Sequence, residues 1–206
     1  MMTVNVTNTK TNTQTFSAFA GDTLLASGDI AKMILGAKKA LDAGESRPIL
    51  IFEDRTGKQV DFDFRGTSQD VLARLASHPL FAAGAPPTAV KRGPGRPKLG
   101  VVSREISLLP RHWEWLESQQ GGVSATLRRV IDELRKQNSG RDALRGAIEA
   151  VGKFMWAMAG NYPNFEEASR ALYANDRAQL KELTREWPTD IREYIERRLG
   201  DNSDGE

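Results

Sequence analysis

The sequence of 206 residues contains no cysteine and only two histidines, and these shortages exclude several kinds of chemistry. Without cysteine the chain has no disulfide, no thiolate metal site and no cysteine nucleophile, so nothing ties it to an oxidising compartment. The two histidines, His78 and His112, lie too far apart in the sequence to form a metal-ligand spacing. We therefore expect no metal ion and no cofactor.

Long apolar runs and the motifs of common enzymes are also missing. The amino terminus has neither the basic patch nor the apolar run of a signal peptide, and no stretch is long enough to span a bilayer. The sequence has no phosphate-loop lysine motif, nucleophile elbow or dinucleotide-binding fingerprint. Asp61 and Asp63 alternate with apolar residues, a pattern typical of the solvent-exposed face of a strand rather than of a catalytic acid-base pair. We expect a cytoplasmic protein with no membrane contact and no catalytic site.

Positive charge is concentrated in the middle of the chain. Residues 1–87 carry nine basic and nine acidic side chains, residues 88–145 carry twelve and six, and residues 146–206 carry eight and twelve. The middle segment therefore has a net charge of +6, twelve minus six, and the last segment has −4, eight minus twelve. Charge concentrated in this way is typical of a protein that binds a polyanion.

Hydrophobic periodicity predicts an α+β fold. In an amino-terminal α+β domain, residues 1–80, we expect three strands and two helices. The strands are predicted at 15–20, 48–52 and 59–65, and the helices at 29–43 and 68–76. A helical region, residues 139–200, follows later in the chain, and residues 201–206 are predicted to be a disordered tail.

Four helices are predicted in the carboxy-terminal region. The first opens at Ser139 or Gly140, and the second has Asn164 as its capping acceptor, with Glu167 reaching back. The last two are predicted at Asp176–Trp187 and Thr189–Leu199. We expect three tryptophans to lie in the protein core: Trp113, Trp156 and Trp187.

Residues 81–99 are predicted to be a flexible linker of proline, glycine and basic residues. Its basic part resembles an AT-hook, a peptide that lies in the minor groove of A·T-rich DNA. Pro97 would hold the backbone extended, Gly95 would let it approach the groove floor, and Arg96 would occupy the negative potential of the groove. The candidate DNA-binding residues are Lys91, Arg92, Gly95, Arg96, Pro97 and Lys98.

The AT-hook resemblance is incomplete at one position. The usual core has a second arginine immediately before the glycine, where this chain has Pro94 and leaves Arg92 further away. The alternative interpretation is a solvated basic linker that makes no specific contact.

Residues 100–138 resemble the ribbon-helix-helix fold of small bacterial repressors. A strand at Val101–Leu109 precedes a helix that Pro110 begins, a Gly121-Gly122 break and a second helix capped by Ser124. The resemblance implies a homodimer through residues 101–136, in which paired strands enter the major groove and the second helix anchors a phosphate. It places the anchor at the amides of Gly122, Val123 and Ser124, with Arg128 one turn further on.

The strand allows two registers, which present different side chains to DNA. One register directs Arg104 outward together with Ile106 and Leu108, which leaves a poor core. The other buries those two apolar residues and presents Glu105 and Ser107. Both Arg104 and Ser107 are therefore candidate contacts, and the alternative is a strand used only to dimerise.

The chain as a whole resembles an uncharacterised bacterial family, domain of unknown function 2239. The resemblance covers nearly all of the chain and implies that the basic run and the following helices belong to one unit. It rests on Phe19-Ala20-Gly21-Asp22, Ala26-Ser27-Gly28, Thr56-Gly57 with Asp61, Gly95 to Val101, Leu108 to Trp113, Ala159-Gly160, Phe165-Glu166-Glu167, Arg170-Ala171-Leu172 and Trp187-Pro188.

Together these patterns predict a dimeric DNA-binding protein, a transcriptional regulator or a nucleoid-associated protein, whose target is A·T-rich DNA. The competing hypothesis is a protein-interaction or scaffolding protein in which the basic run is only a spacer. A hydrolase or transferase built on the amino-terminal domain is the third hypothesis.

Overall fold

The computed structural model describes residues 14–75, 77–78, 80, 102 and 104–200. Within these residues the fold is α+β, as predicted: one antiparallel sheet of four strands and seven helices. The strands are β1 (Phe16–Ala20), β2 (Thr23–Gly28), β3 (Ile49–Glu53) and β4 (Lys58–Gln59). The helices are α1 (Ile30–Asp42), α2 (Ser68–Leu75), α3 (Pro110–Glu117), α4 (Val123–Met158), α5 (Phe165–Tyr173), α6 (Arg177–Leu183) and α7 (Thr189–Gly200).

Contacts divide the chain into two compact units. The first, here called the core unit, comprises residues 1–76 and 142–206, and the second, the basic unit, comprises residues 77–141. The basic unit carries eleven basic and five acidic side chains, a net charge of +6, whereas the core unit carries eighteen and twenty-two, a net charge of −4.

The strands follow the order β2-β1-β3-β4, and every neighbouring pair is antiparallel. Strands β1 and β3 were predicted, but β2 was missed, and it pairs with β1 through the Gly21-Asp22 turn. The strand predicted at 59–65 is wrong beyond Gln59, since residues 60–65 form no strand. The Val60 amide still donates to the Ile51 carbonyl of β3 at 2.8 Å, and burial accounts for the alternation of side chains: Val60 is buried, and the ring of Phe62 lies 6.3 Å from that of Phe16.

Helices cover both faces of the sheet. Ala18 and its cross-strand partner Ala26 share one face, and α1 packs there so closely that a Cβ on Gly36 would collide with the Ala26 side chain. Because strand side chains alternate, Phe19 points to the opposite face. There it joins the main apolar cluster with residues of α4, α5, α6 and α7.

Phe154 of α4 lies at the centre of this cluster. Its ring centroid is 5.2 Å from that of Phe19, 5.1 Å from that of Phe52 and 4.1 Å from that of Tyr194. Residues 1–80 and 139–200, which the sequence separates into two segments, therefore contribute to one aromatic core.

Polar contacts join the sheet to the same helices. The hydroxyl of Tyr194 donates to the buried carboxylate of Asp54 at 3.1 Å, and burial raises the pKa of this tyrosine far above its usual range, which keeps the proton in place. The amide of Leu24 donates to Asp190 at 2.7 Å. At the β3–β4 turn, Gly57 has a φ of +64° and lies so close to α4 that a Cβ would collide with the carbonyl oxygen of Ala150.

Helix α4 runs without interruption through 36 residues, so the helix boundary predicted at Ser139 or Gly140 is wrong. The hydroxyl of Ser139 donates to the carbonyl of Lys136 at 3.0 Å, inside the helix. A glycine within a helix is destabilising by only about 1 kcal/mol relative to alanine, which does not end a helix that packs well elsewhere.

At the other helix boundaries, some of the caps that the sequence predicts are present in the structure and others are not. The sequence allows Thr67 or Ser68 as the cap of α2, and the structure has Thr67: its hydroxyl accepts from the amide of Asp70, while the Asp70 carboxylate accepts from the Thr67 amide. The cap predicted at Asn164 is wrong: this residue has a φ of +60° and its side chain caps nothing. Asp176 does cap α6, accepting from the Gln179 amide at 2.9 Å, but the helix ends at Leu183 instead of reaching Trp187.

Candidate nucleic-acid interface

The predicted DNA-binding residues fall into two groups. Lys91, Arg92, Gly95, Arg96, Pro97 and Lys98 lie outside the residues that the structure describes. Arg104, Ser107, Gly122, Ser124 and Arg128 are all described, and all five are exposed in the basic unit.

The segment before α3 is not a strand in the single chain. Val101 and Ser103 are not described, and residues 102 and 104–109 form no strand, so the predicted strand is not present there. A strand requires a hydrogen-bonded neighbour, and none of the described strands pairs with this segment. Arg104, Ile106 and Ser107 are all exposed, and the side-chain burial therefore selects neither of the two registers.

Helix α3 begins as the sequence predicts. Pro110 occupies its first turn, and the carbonyl of Leu109 accepts from the amides of His112 at 2.8 Å and Trp113 at 3.3 Å. Proline suits this position because the amide it lacks would have had no acceptor within the helix. On the inner side of α3, Leu116 is buried.

The turn between α3 and α4 is made by Gly121 and Gly122, with φ values of +96° and +79°. The carbonyl of Gly122 accepts from the amide of Thr126 at 3.1 Å, so α4 begins at Val123. Ser124 therefore lies inside the first turn, and its prediction as the cap is wrong. The amides of the first turn still point out of the helix end, which is the arrangement that binds phosphate in many proteins.

Further along the first turns of α4, Arg128 and Arg129 are exposed. The buried side chain in this part of the helix is polar: Thr126 has its hydroxyl buried with no hydrogen-bond partner among the described residues. The helix start thus combines free amide positions, exposed guanidinium groups and a buried hydroxyl.

Large apolar side chains are left uncovered in the basic unit. Six of them are between 49% and 72% exposed: Val102, Ile106, Leu109, Trp115, Ile131 and Leu134. Among the described residues of this unit, Leu116 is the only large apolar side chain that is buried. Ile131 and Leu134, both on α4, are half exposed.

Sequence reasoning missed an aromatic groove in the core unit. Trp187 is buried as predicted, but Trp156, also expected in the core, is 68% exposed. It lines the groove together with Tyr173, which is 57% exposed, and with Glu166 and Arg170. A signal was present, because Trp156 lies off the apolar face of α4 that carries Val151 and Met155.

The acidic pair considered in the sequence does not converge on a pocket. Asp63 accepts from the guanidinium of Arg65 at 2.8 Å and lies 3.5 Å from that of Arg74. The side-chain and backbone hydrogen bonds from Arg65 hold the pKa of Asp63 well below its usual range. Asp61 is exposed. In the part of the chain that the structure describes, no cluster of histidine, aspartate and glutamate side chains is arranged to hold a metal ion.

The same described ranges contain no helix that is both long enough and apolar enough to cross a membrane. Comparison with known proteins shows that residues 15–199 match a bacterial family, DUF2239, described as an uncharacterized protein conserved in bacteria. No curated protein and no solved structure matches the chain. Because this match spans most of its length, the chain belongs to this family.

Proposed function

We propose that this member of the DUF2239 family is a homodimeric DNA-binding protein of the cytoplasm, a transcriptional regulator or nucleoid-associated protein without catalytic activity. The basic unit would supply both the dimer contact and the DNA contact. The observation that carries the proposal is the combination, within one unit, of a net charge of +6 and uncovered apolar side chains.

The uncovered side chains support the dimer. A unit as small as residues 77–141 buries little apolar surface on its own, and small units are often completed by a partner, a metal or disulfides. The chain has no cysteine, and a second copy is the partner always present. All six exposed apolar residues lie within 101–136, the segment that the ribbon-helix-helix resemblance assigns to the dimer.

The backbone of the same segment supports that assignment. Residues 104–109 form no strand in the single chain, and apart from the Leu109 carbonyl, which accepts from amides of α3, their backbone could pair with a second strand. Two copies of this segment could pair with each other in an antiparallel ribbon. Pairing would place Arg104 or Ser107 on the outer face, according to the register adopted.

The charge supports a polyanionic ligand. The four basic side chains of the run Lys91–Lys98 would each neutralise a phosphate, and binding should then fall with salt at a log-log slope of roughly −3.6 per chain. Arg96, at the centre of the AT-hook-like core, would favour A·T-rich DNA because the minor groove is narrow there. The amides at the start of α4 would add a phosphate contact.

A gel-shift experiment with A·T-rich and G·C-rich duplexes tests the proposal, using the full chain and Arg96→Ala. The matched control is Arg185→Ala, which removes one exposed positive charge from the core unit. We expect Arg96→Ala to reduce binding to A·T-rich DNA about tenfold and the control to leave it unchanged. If the unmodified chain and Arg96→Ala bind both duplexes equally weakly, or if the salt slope is near zero, the competing hypothesis of a scaffolding protein with a basic spacer would be favoured.

A further inference from the structure

The aromatic groove of the core unit is an open depression of about 830 Å³. It lies between the end of α4, the loop that follows and α5. Trp156 comes from α4, whereas Glu166, Glu167, Arg170 and Tyr173 come from α5. All of its lining residues belong to the core unit, so what the groove binds does not depend on the function proposed above.

The two large aromatic rings are exposed although their neighbours hold them in place. The ring of Trp156 packs edge-on against that of Phe165, with centroids 5.1 Å apart and planes at 80°. Tyr173 lies so close to α4 that a Cβ on Gly152 would collide with its hydroxyl. Ring faces that are fixed and open to solvent offer a preformed surface to a ligand, because little ordering is required on binding.

The polar side of the groove is acidic. Arg170 lies 3.5 Å from Glu166 and 3.9 Å from Glu167, and all three side chains are more than half exposed. Ion pairs at such distances on an exposed surface are weak. Two carboxylates and one guanidinium leave a net charge of −1, which favours a cation as the ligand.

We propose that the groove binds a basic peptide segment of a partner protein. An arginine or lysine of the peptide would place its cation against the rings of Trp156 and Tyr173, where the negative ring faces attract it. Glu166 and Glu167 would pair with that cation and displace Arg170 from its weak contacts. The groove thus belongs to the peptide-recognition class in which carboxylates and aromatic faces read a positive side chain.

The openness of the groove favours a peptide over a free organic cation. With Trp156 68% exposed and Tyr173 57% exposed, a small cation would keep most of its contact with water. A peptide that lies along the groove would cover both rings at once and gain the burial of apolar surface that a small ion cannot.

Calorimetric titration of the full chain with a short peptide of Gly-Ser-Arg repeats tests the proposal. A peptide of Gly-Ser-Glu repeats and free arginine amide are the two comparison ligands. We expect binding of the arginine peptide alone. Equal binding of the glutamate peptide, or of arginine amide, would overturn the proposal, since the first would indicate an anion site and the second a small-molecule site.

Substitutions test which side chains carry the binding. We expect Trp156→Ala to weaken binding about tenfold and Trp156→Phe to retain most of it, because an exposed ring contributes little to the fold but much to the cation contact. Unchanged binding by Trp156→Ala, with its thermal unfolding also unchanged, would overturn the proposal.

The charges give a test that depends on sign. Replacing Glu166 and Glu167 by glutamine should weaken binding, whereas Arg170→Gln should strengthen it by removing the competing cation. The control replaces two exposed carboxylates elsewhere in the core unit, Glu186→Gln with Glu193→Gln, and should have a much smaller effect. If the glutamine variants of Glu166 and Glu167 bound the peptide more tightly and Arg170→Gln bound it more weakly, the groove would be an anion site centred on Arg170, and the proposal would be overturned.

Discussion

The core unit and the basic unit of this chain differ in how far each covers its own apolar side chains. In the core unit, residues from two distant stretches of sequence meet in one aromatic cluster around Phe154. In the basic unit, Leu116 is the one large apolar side chain buried among the described residues, while six others are about half exposed or more. The comparison shows that apolar residues were present in both units, but only one unit has enough elements to enclose them.

This difference separates what each unit needs in order to be stable. The core unit has a sheet with helices on both faces, so its apolar surface is enclosed within one chain. The basic unit has, after an extended segment, helix α3 and the first part of α4, and we expect it to require another surface. Substitutions should therefore affect the two units in different ways, and three of them rank by their effect on the stability of the core unit.

The largest effect should come from Phe154→Ala. Removing this ring leaves a cavity against Phe19, Phe52 and Tyr194, and truncation of a buried phenylalanine typically reduces the free energy of unfolding by about 4 kcal/mol. The loss in the free energy of unfolding can be measured by denaturant unfolding monitored by circular dichroism. The matched substitution in the basic unit, Trp115→Ala, should change core-unit stability by less than about 0.5 kcal/mol because that ring is exposed. Similar losses for both would show that the two units do not differ as described.

A smaller effect should come from Gly57→Ala. Alanine at this position would meet both an unfavourable positive φ and the carbonyl oxygen of Ala150, so we expect a loss of about 3 kcal/mol. The control is Gly44→Ala, where φ is +99° but no atom lies within 4 Å of the added Cβ. That variant should lose only about 1 kcal/mol, from backbone strain alone. Equal losses would mean that the close approach of the β3–β4 turn to α4 contributes nothing.

The smallest effect on the core unit, and the largest on assembly, should come from Ile131→Glu combined with Leu134→Glu. Both side chains are half exposed on α4, so the single chain tolerates the change, whereas an interface would bury the new charges. Analytical ultracentrifugation should give the mass of a dimer for the unmodified protein and the mass of a single chain for the variant. Leu35→Glu, an exposed position on α1, should leave the mass unchanged. A monomeric unmodified protein would contradict the proposed dimer.

Patterns that depend on neighbouring residues were predicted well from the sequence. The β1 and β3 strands and the start of α3 at Pro110 follow from short runs and local capping chemistry. The Thr67 cap of α2 is also local, since its partner Asp70 lies three residues away. The spacing of Glu166 and Arg170, four residues apart, is typical of a helical ion pair, and the two side chains lie 3.5 Å apart.

Features that depend on distant partners were not predicted. Strand β2 was missed because its pairing with β1, which includes a bulge between Ala18 and Phe19, hides the usual alternation. The opposite error at residues 60–65 arose because side chains such as Phe62, which packs against Phe16, alternate in burial although no strand continues beyond Gln59. Trp156 was misplaced because its burial was expected from its residue type, although its position lies off the face of α4 that carries Val151 and Met155.

By itself, the sequence determined the α+β class, most of the helices, the concentration of positive charge and the family. These depend on residue type and on spacing within a few turns of chain, which act before any long-range contact forms. Only the tertiary structure decided that residues 1–80 and 139–200 share one core, that α4 is continuous through Ser139 and Gly140, and that Trp156 faces solvent. The physical reason is that burial is set by which distant surfaces enclose a side chain, and the energy of enclosing it exceeds the small local preferences that the sequence displays.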